Sequence, residues 1–142
     1  MKNKLLSTFF TIAIAFSSVL SFSAIVSAKN YRNTEYTFYN RNSSGYTDSR
    51  LKEDKTKVYI NPISGPALKY TVQGSTGSSN APWHNRSSTH TIYSGTKASF
   101  TNKVREKGET FARLHLERTS AAYAWTNGKW SPDSLKNYTV YN

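Results

Sequence analysis

The sequence has no cysteine, few glycines and prolines, and little negative charge. Its 142 residues include 7 Gly, 4 Pro and 8 acidic residues against 19 basic ones. Without cysteine the chain can form no disulfide and no thiolate metal site, so its stability must come from packing. Aromatic residues are plentiful instead, with 10 Tyr, 7 Phe and 3 Trp. We expect most of these aromatic residues to pack inside a folded domain.

The first 28 residues have the pattern of a signal peptide. Lys2 and Lys4 precede an uncharged, mostly apolar run from Leu5 to Val26, and Val26-Ser27-Ala28 places small residues at a cleavage position. An uncleaved membrane anchor is the alternative, although seven Ser and Thr residues dilute the run. We expect cleavage after Ala28 and a secreted protein, extracellular or associated with the cell wall. Export without cysteine fits a Gram-positive bacterium better than an animal secretory pathway.

The mature chain carries a strong positive surplus. Without Lys2 and Lys4 the 19 basic residues become 17, against 8 acidic residues, so the net charge is +9. Such a surplus attracts polyanions, and outside a Gram-positive cell these are anionic cell-wall polymers and the membrane surface. The alternative is that the charge only keeps a small secreted protein soluble. Because the chain is exported, we expect no nucleic-acid partner.

The stretch from Lys97 to Arg118 alternates apolar and polar side chains in two halves, a period typical of half-buried strands. The apolar residues are Ala98, Phe100 and Val104 in the first half and Ala112, Leu114 and Leu116 in the second. Gly108 lies between the halves, where a tight turn needs positive φ. We therefore predict a β-hairpin whose apolar face the rest of the chain covers. A helix over Glu109 to Arg118 is the alternative, but it would turn Leu114 away from the other apolar residues.

Further strand patterns extend along the mature chain. They lie at Glu35 to Asn40, Val58 to Ile60, Leu68 to Val72, Thr89 to Tyr93, Ala121 to Thr126, and around Tyr138 and Val140. Seven or eight short strands without an amphipathic helix indicate an all-β protein, a small antiparallel β-sandwich or barrel. We expect residues 29–56 to form an N-terminal segment with one edge strand, and residues 57–142 to form the sandwich domain.

Turn residues predict how these strands connect. Asn61-Pro62 is expected to end one strand, and Ser64-Gly65-Pro66 to form a hairpin with the next. Asn127-Gly128 predicts a type I′ hairpin, followed by a break at Ser131 to Ser134. The mixed-charge stretch from Thr47 to Lys57 predicts an exposed connection.

The long polar loop from Gly74 to Ser88 contains one large apolar residue, Trp83. Loops of this length in compact domains are usually functional or disordered. Trp83 is expected either to contact a ligand or to fold back over the core. Three aromatic residues near the C terminus, Tyr123, Trp125 and Trp130, are expected to pack in the core.

Outward-facing basic residues of the predicted hairpin would lie opposite or diagonal to one another, as a basic stripe. They are Lys97, Lys103 and Arg105 on the first strand and Arg113 and His115 on the second. Together with Trp83, these residues form the predicted binding site.

No catalytic residue, metal site or cofactor is predicted. His84, His90 and His115 stand at spacings that match no zinc signature, and the acidic residues between Asp48 and Asp54 are interrupted by basic ones. The sequence contains no G-x-S-x-G elbow, and paired carboxylates suited to glycoside hydrolysis are poorly supplied. We therefore expect that the protein is not an enzyme.

Several motifs between Lys57 and Ser134 are specific enough to compare with known families. They are V-Y-I-N at Val58, S-G-P-A-L-K-Y-T-V-Q-G at Ser64, N-K-V-R-E-K-G-E-T at Asn102, A-R-L-H-L at Ala112 and G-K-W-S-P-D-S at Gly128. They resemble a family of short secreted proteins of Gram-positive bacteria that is catalogued as a domain of unknown function. The most specific piece is W-S-P-D-S at Trp130 to Ser134. The resemblance implies a secreted β domain and carries no activity with it.

Two functions are expected from these observations. The first is a non-enzymatic cell-envelope module that binds anionic polymers through the basic strand face. The second is a bacteriocin-like secreted antimicrobial protein, because the chain has a looser similarity to the lactococcin-972-type bacteriocins. Those proteins are also small, exported, cysteine-free, rich in Trp and Tyr, and β-sandwiched. An enzyme whose site the sequence does not reveal is a third hypothesis.

Overall fold

The computed structural model describes residues 30–77 and 79–142. The signal peptide predicted for residues 1–28 lies outside this part of the chain. The described residues form eleven strands and one 3₁₀ turn, Arg105–Lys107. The strands are β1 Thr34–Tyr39, β2 Ser44–Tyr46, β3 Arg50–Leu51, β4 Lys57–Ser64, β5 Leu68–Ser75, β6 His84–Asn85, β7 His90–Ile92, β8 Ala98–Phe100, β9 Phe111–Arg118, β10 Trp125–Ser134 and β11 Thr139–Tyr141.

These strands form two sheets that pack together as a β-sandwich. The five-stranded sheet has the order β1-β10-β4-β8-β11. The six-stranded sheet follows the path β2-β9-β5-β6, with β3 also paired to β9 and β7 to β5. Strand pairing is antiparallel apart from the parallel pair of β11 with β8. The predicted all-β sandwich is confirmed, with eleven strands rather than seven or eight.

The core consists of alternate residues from the long strands of both sheets. Its members include Tyr36, Phe38, Val58, Ile60, Leu68, Tyr70, Val72, Phe100, Ala112, Leu114, Leu116 and Trp130. The hydroxyls of Tyr36 and Tyr70 form a hydrogen bond of 2.8 Å between the sheets, which satisfies both polar groups within the core. Period-two patterning therefore identified the inward faces of β1 and β9 correctly.

The central stretch from Lys97 to Arg118 contains the two predicted strands, but the predicted hairpin is wrong. β8 belongs to the five-stranded sheet and β9 to the six-stranded sheet, so the two do not pair. The chain crosses between the sheets through the 3₁₀ turn, which Gly108 ends with φ +73°. The helix considered for Glu109 to Arg118 is also excluded, because Phe111–Arg118 is a strand. Alternation is a local property and does not specify which sheet a strand joins.

The hairpin predicted around Ser64-Gly65-Pro66 is wrong for the same reason. β4 lies in one sheet and β5 in the other, so this turn carries the chain between the layers. Gly65 adopts φ +98°, and a Cβ at this position would overlap the carbonyl oxygen of Trp125. The close approach and the positive φ both require glycine.

Asn61-Pro62 does not end β4, which continues to Ser64. β8 pairs with β4 only from Val58 to Ile60. Beyond Ile60 that side of β4 has no β8 neighbour, so the missing N–H of Pro62 breaks no ladder hydrogen bond there.

Asn127 and Gly128 lie inside β10, so the predicted type I′ turn is wrong. Tyr36 packs directly on Gly128, where a Cβ would overlap the Tyr36 ring and hydroxyl. Glycine therefore serves a close contact at this position, not a turn. The break expected at Ser131 to Ser134 is an irregularity in the pairing of β10 with β4.

Of the three aromatic residues expected in the core near the C terminus, Trp130 is buried there. Tyr123 is 76% exposed and Trp125 is 57% exposed. Because Thr126, Gly128 and Trp130 point inward along β10, Trp125 must point outward.

The N-terminal segment supplies strands to both sheets. β1 is an edge strand of the five-stranded sheet, and β2 and β3 pair with β9. Arg50 in β3 lies 5.6 Å from the Trp130 ring centroid, and its Nη1 donates to the Arg32 carbonyl at 2.6 Å. These contacts hold the segment against β10.

Candidate functional site

The five basic residues of the predicted stripe do not lie together, so they and Trp83 do not form one site. β8 and β9 lie in different sheets, which separates the residues expected to face one another. Trp83, Arg113 and His115 share the outer face of the six-stranded sheet. Lys97 lines a cleft on the five-stranded sheet, and Lys103 lines a second cleft, whose lining does not include Arg105.

Arg113 lies between two aromatic rings. Its guanidinium carbon is 3.8 Å from the Tyr46 ring centroid and 4.3 Å from that of Trp83. Its Nε donates to Gln73 Oε1 at 2.9 Å, and His115 stacks on Tyr46 with the centroids 5.0 Å apart. Trp83 thus folds back onto the outside of a sheet rather than onto the core. Because both faces of the guanidinium are covered, this cluster offers a ligand little free charge.

The second cleft has a volume of about 450 Å³ and lies beside the connection between β6 and β7. Lys103, Lys107 and Arg86 supply its cationic groups. Arg86 is neutralised by Glu109, with Nη2 to Oε1 at 2.6 Å. Arg105 donates from Nη1 to the Glu109 carbonyl at 3.2 Å and so also supports the fold. Two lysines therefore provide the free positive charge of this cleft.

The larger cleft, about 470 Å³, lies on the outer face of the five-stranded sheet. It is lined by three lysines and three tyrosines: Lys97, Lys129, Lys136, Tyr31, Tyr59 and Tyr138. We name it the lysine–tyrosine cleft. Among the described residues that line it, Asp133 is the one carboxylate.

Strand register places the centre of the lysine–tyrosine cleft. Lys129 and Ser131 occupy outward positions of β10, and Ser131 pairs with Tyr59 of β4. The ring of Tyr138 lies 5.2 Å from that of Tyr59, and Lys97 Nζ lies 5.7 Å from the Tyr138 ring centroid. Strands β4 and β10, the segment after β10 and the residue before β8 thus meet at one concave surface.

The segment after β10 is fixed by hydrogen bonds to the sheet. The buried Ser99 hydroxyl donates to the Lys136 carbonyl at 3.0 Å and accepts from the Tyr138 N–H at 3.2 Å. Lys57 Nζ donates to Asn137 Oδ1 at 3.0 Å. Lys136 and Tyr138 are therefore held at the rim of the cleft.

Positive charge dominates the cleft. Within the described part of the chain, no carboxylate lies within 4.0 Å of Lys97 or Lys136. Lys129 Nζ is 3.4 Å from Glu35, which is 79% exposed. Such exposed pairs contribute only about 0–1 kcal/mol, so an anionic ligand can replace Glu35. Burial raises the pKa of Tyr59, whose hydroxyl therefore stays protonated and can donate a hydrogen bond.

A buried ion pair lies under this cleft. Lys52 is 1% exposed, and its Nζ donates to Asp133 Oδ1 at 3.0 Å and to the carbonyls of Pro132 and Thr56 at 2.7 Å each. Asp133 Oδ2 accepts the Glu53 N–H at 3.0 Å. The three ammonium donors are satisfied, so the pair is structural and leaves no free charge in the cleft. The exposed connection predicted for Thr47 to Lys57 is therefore wrong, because Thr47 and Lys52 are buried and Arg50–Leu51 is a strand.

Sequence reasoning found Lys97 but missed Lys129 and Lys136. The inward position of Trp130 implies that Lys129 points outward. This was missed because the turn predicted at Asn127-Gly128 divided the strand in which the two residues alternate. Lys136 lies outside any strand, and no periodic signal places it. Tyr46 was also missed, since its role depends on a contact with the distant Arg113.

Residues 30–77 and 79–142 contain neither a metal-binding cluster nor a membrane-spanning helix. No three His, Asp or Glu side chains there are grouped to hold a metal ion. No helix in these ranges has the length and apolar character needed to cross a membrane.

The fold and the cleft define a small all-β sandwich domain with a cationic, tyrosine-lined surface site. A family model described as protein of unknown function, DUF2712, matches residues 23–134, and the chain belongs to this family. The resemblance to a domain of unknown function is thereby confirmed, over a longer range than the quoted motifs cover. No curated protein and no solved structure matches the chain.

Proposed function

We propose that this protein is a non-enzymatic exported module that binds an anionic polymer of the cell envelope in the lysine–tyrosine cleft. The observation that carries the proposal is the convergence of Lys97, Lys129 and Lys136 on one concave surface. The carboxylate in that surface, Asp133, is already neutralised by Lys52. The cleft therefore presents net positive charge, which attracts a polyanion.

The side chains suit repeated phosphate groups. Each lysine supplies a compact ammonium charge on a flexible stem, which can follow phosphates at variable spacing. The tyrosines add hydroxyl donors and flat amphipathic surfaces between the charges. Binding of this kind releases counterions and weakens as the salt concentration rises.

A charge-matched pair of triple variants tests the proposal. The first variant is Lys97→Gln/Lys129→Gln/Lys136→Gln, and its binding to poly(glycerol phosphate) should weaken about 100-fold. This value assumes that each lysine contributes about 1 kcal/mol to binding, as a lysine does near an anionic membrane surface. The control removes the same charge outside the cleft, at the exposed residues Arg41, Lys55 and Lys69, each changed to Gln. Isothermal titration calorimetry at low and high salt measures both affinities.

Equal losses in the two triple variants would show that net charge alone drives binding, which contradicts a cleft site. Tighter binding to phosphatidylglycerol vesicles than to the polymer would assign the cleft to the membrane surface instead. The antimicrobial activity implied by the looser resemblance stays a prediction, and growth inhibition by the purified protein is its measurement.

A further inference from the structure

An exposed tryptophan and a half-buried tyrosine lie on the same sheet face as the lysine–tyrosine cleft. Tyr39 of β1 pairs directly with Trp125 of β10, and their rings stack with centroids 4.8 Å apart and planes 29° apart. Trp125 is 57% exposed despite this contact. We call this pair the aromatic platform.

The aromatic platform is fixed in place. The Asn40 N–H donates to the Ala124 carbonyl at 2.9 Å, which ties the ends of the two strands together. Next to Trp125, the Thr126 hydroxyl donates to the Pro66 carbonyl at 2.9 Å. The exposed ring therefore projects from an anchored strand and presents a defined surface.

Polar and charged pairs follow the platform toward the cleft. Along β1 and β10 the next outward pair is Thr37 with Asn127, and the one after is Glu35 with Lys129. Trp125 and Lys129 are four residues apart, or about 13 Å at a strand rise of about 3.3 Å per residue. The face thus changes from aromatic to hydroxyl and amide, and then to the ion pair of Glu35 with Lys129, whose lysine lines the cleft.

We propose that the aromatic platform is a sugar-binding subsite, and that the ligand of the whole face is a phosphate polymer carrying sugar substituents. The inference rests on the proposed function for the charged part of the ligand. A sugar ring has an apolar face that can stack on Trp125 and hydroxyls that can bond to Asn127 and Thr37. The Asn127 Nδ2 already donates to Ser64 Oγ at 3.2 Å, which leaves its Oδ1 and the Thr37 hydroxyl for a ligand. A lipid chain would bond to neither of these two groups.

The test compares poly(glycerol phosphate) with and without glucosyl substituents. Wild-type protein should bind the glucosylated polymer about three- to tenfold more tightly, the size expected for one aromatic stacking contact. Trp125→Ala should remove this preference and leave binding to the unsubstituted polymer unchanged, which also shows that the variant is folded. Tyr93→Ala, which removes another exposed aromatic ring, is the matched control and should keep the preference.

A second arm uses a neutral glucose oligosaccharide and follows the indole N–H signals of the three tryptophans by NMR. The signal lost in Trp125→Ala should shift in the wild type, and those of Trp83 and Trp130 should stay. If neither polymer binds but this signal shifts, the proposed function fails and the sugar subsite stands. The sugar subsite would be overturned if both polymers bind wild-type protein with equal affinity, if the preference survives in Trp125→Ala, or if no indole signal shifts.

Discussion

The buried ion pair between Lys52 and Asp133 predicts a large loss of stability when one partner is changed. Asp133→Asn keeps the size of the side chain but leaves the Lys52 ammonium with two carbonyls and no anion. Breaking a buried pair in this way costs about 3–5 kcal/mol. At roughly 4 °C per kcal/mol for a domain of this size, the melting temperature should fall by about 12–20 °C.

The opposite variant, Lys52→Met, should add a pH dependence. Burial already raises the pKa of Asp133, while the Glu53 N–H and Lys52 oppose the rise, so removing Lys52 raises that pKa further. A carboxyl whose pKa is higher in the folded state than in the unfolded state binds its proton more tightly when the protein is folded. The free energy of unfolding therefore falls as the pH rises from the pKa of the unfolded state through that of the folded state. Lys52→Met should therefore be closer to wild type at pH 4 than at pH 7. Urea denaturation at both pH values gives the free energies of unfolding.

Removing both charges separates the two causes of destabilisation. Lys52→Met/Asp133→Leu should be more stable than either single variant, because neither buried charge is left without a partner. Glu35→Gln, which breaks the exposed pair with Lys129, is the control and should stay within about 1 kcal/mol of wild type. A loss below about 1 kcal/mol in Asp133→Asn would refute the reasoning, since the pair would then behave like an exposed one.

Gly128→Ala should cost about 1–3 kcal/mol, because the new methyl group overlaps Tyr36 and disturbs its hydrogen bond to Tyr70. An unchanged urea midpoint would contradict that close contact. Burial favours a higher pKa for Asp54, but hydrogen bonds from Thr56 prevail and lower it to about 2. The lowered pKa stabilises the folded state. This stabilisation should be complete above the pKa of Asp54 in the unfolded state, about 4, and should be lost as the pH falls toward 2. In Thr56→Val the carboxyl carbon of Asp54 should titrate at higher pH by NMR.

The inward faces of the long strands could be predicted because apolar and polar residues alternate within a short stretch of sequence. Leu68, Tyr70 and Val72 in β5 alternate with polar residues and are buried, as their period requires. Strand partners could not be predicted in the same way. The chain crosses between the layers near Gly65 and Gly108, and both glycines equally suit the tight turn of a hairpin.

The candidate site was harder to predict than the fold, because it depends on residues far apart in sequence. Lys52 looks like a solvated charge among its neighbours, and its burial becomes favourable only when Asp133, 81 residues away, supplies the counter-charge. Likewise Lys136 reaches the cleft because the distant Ser99 holds its backbone. No periodic pattern encodes contacts of this kind.

The W-S-P-D-S motif explains the architecture of the cleft better than its ligand. Trp130 fills the core, and Asp133 binds Lys52 beneath the cleft, so both side chains are committed to the fold. The lysines at the rim, Lys97 and Lys136, lie outside the motif and are exposed. A relative with the motif but without these lysines should therefore share the sandwich and lack the polyanion site, because fold and ligand depend on different residues.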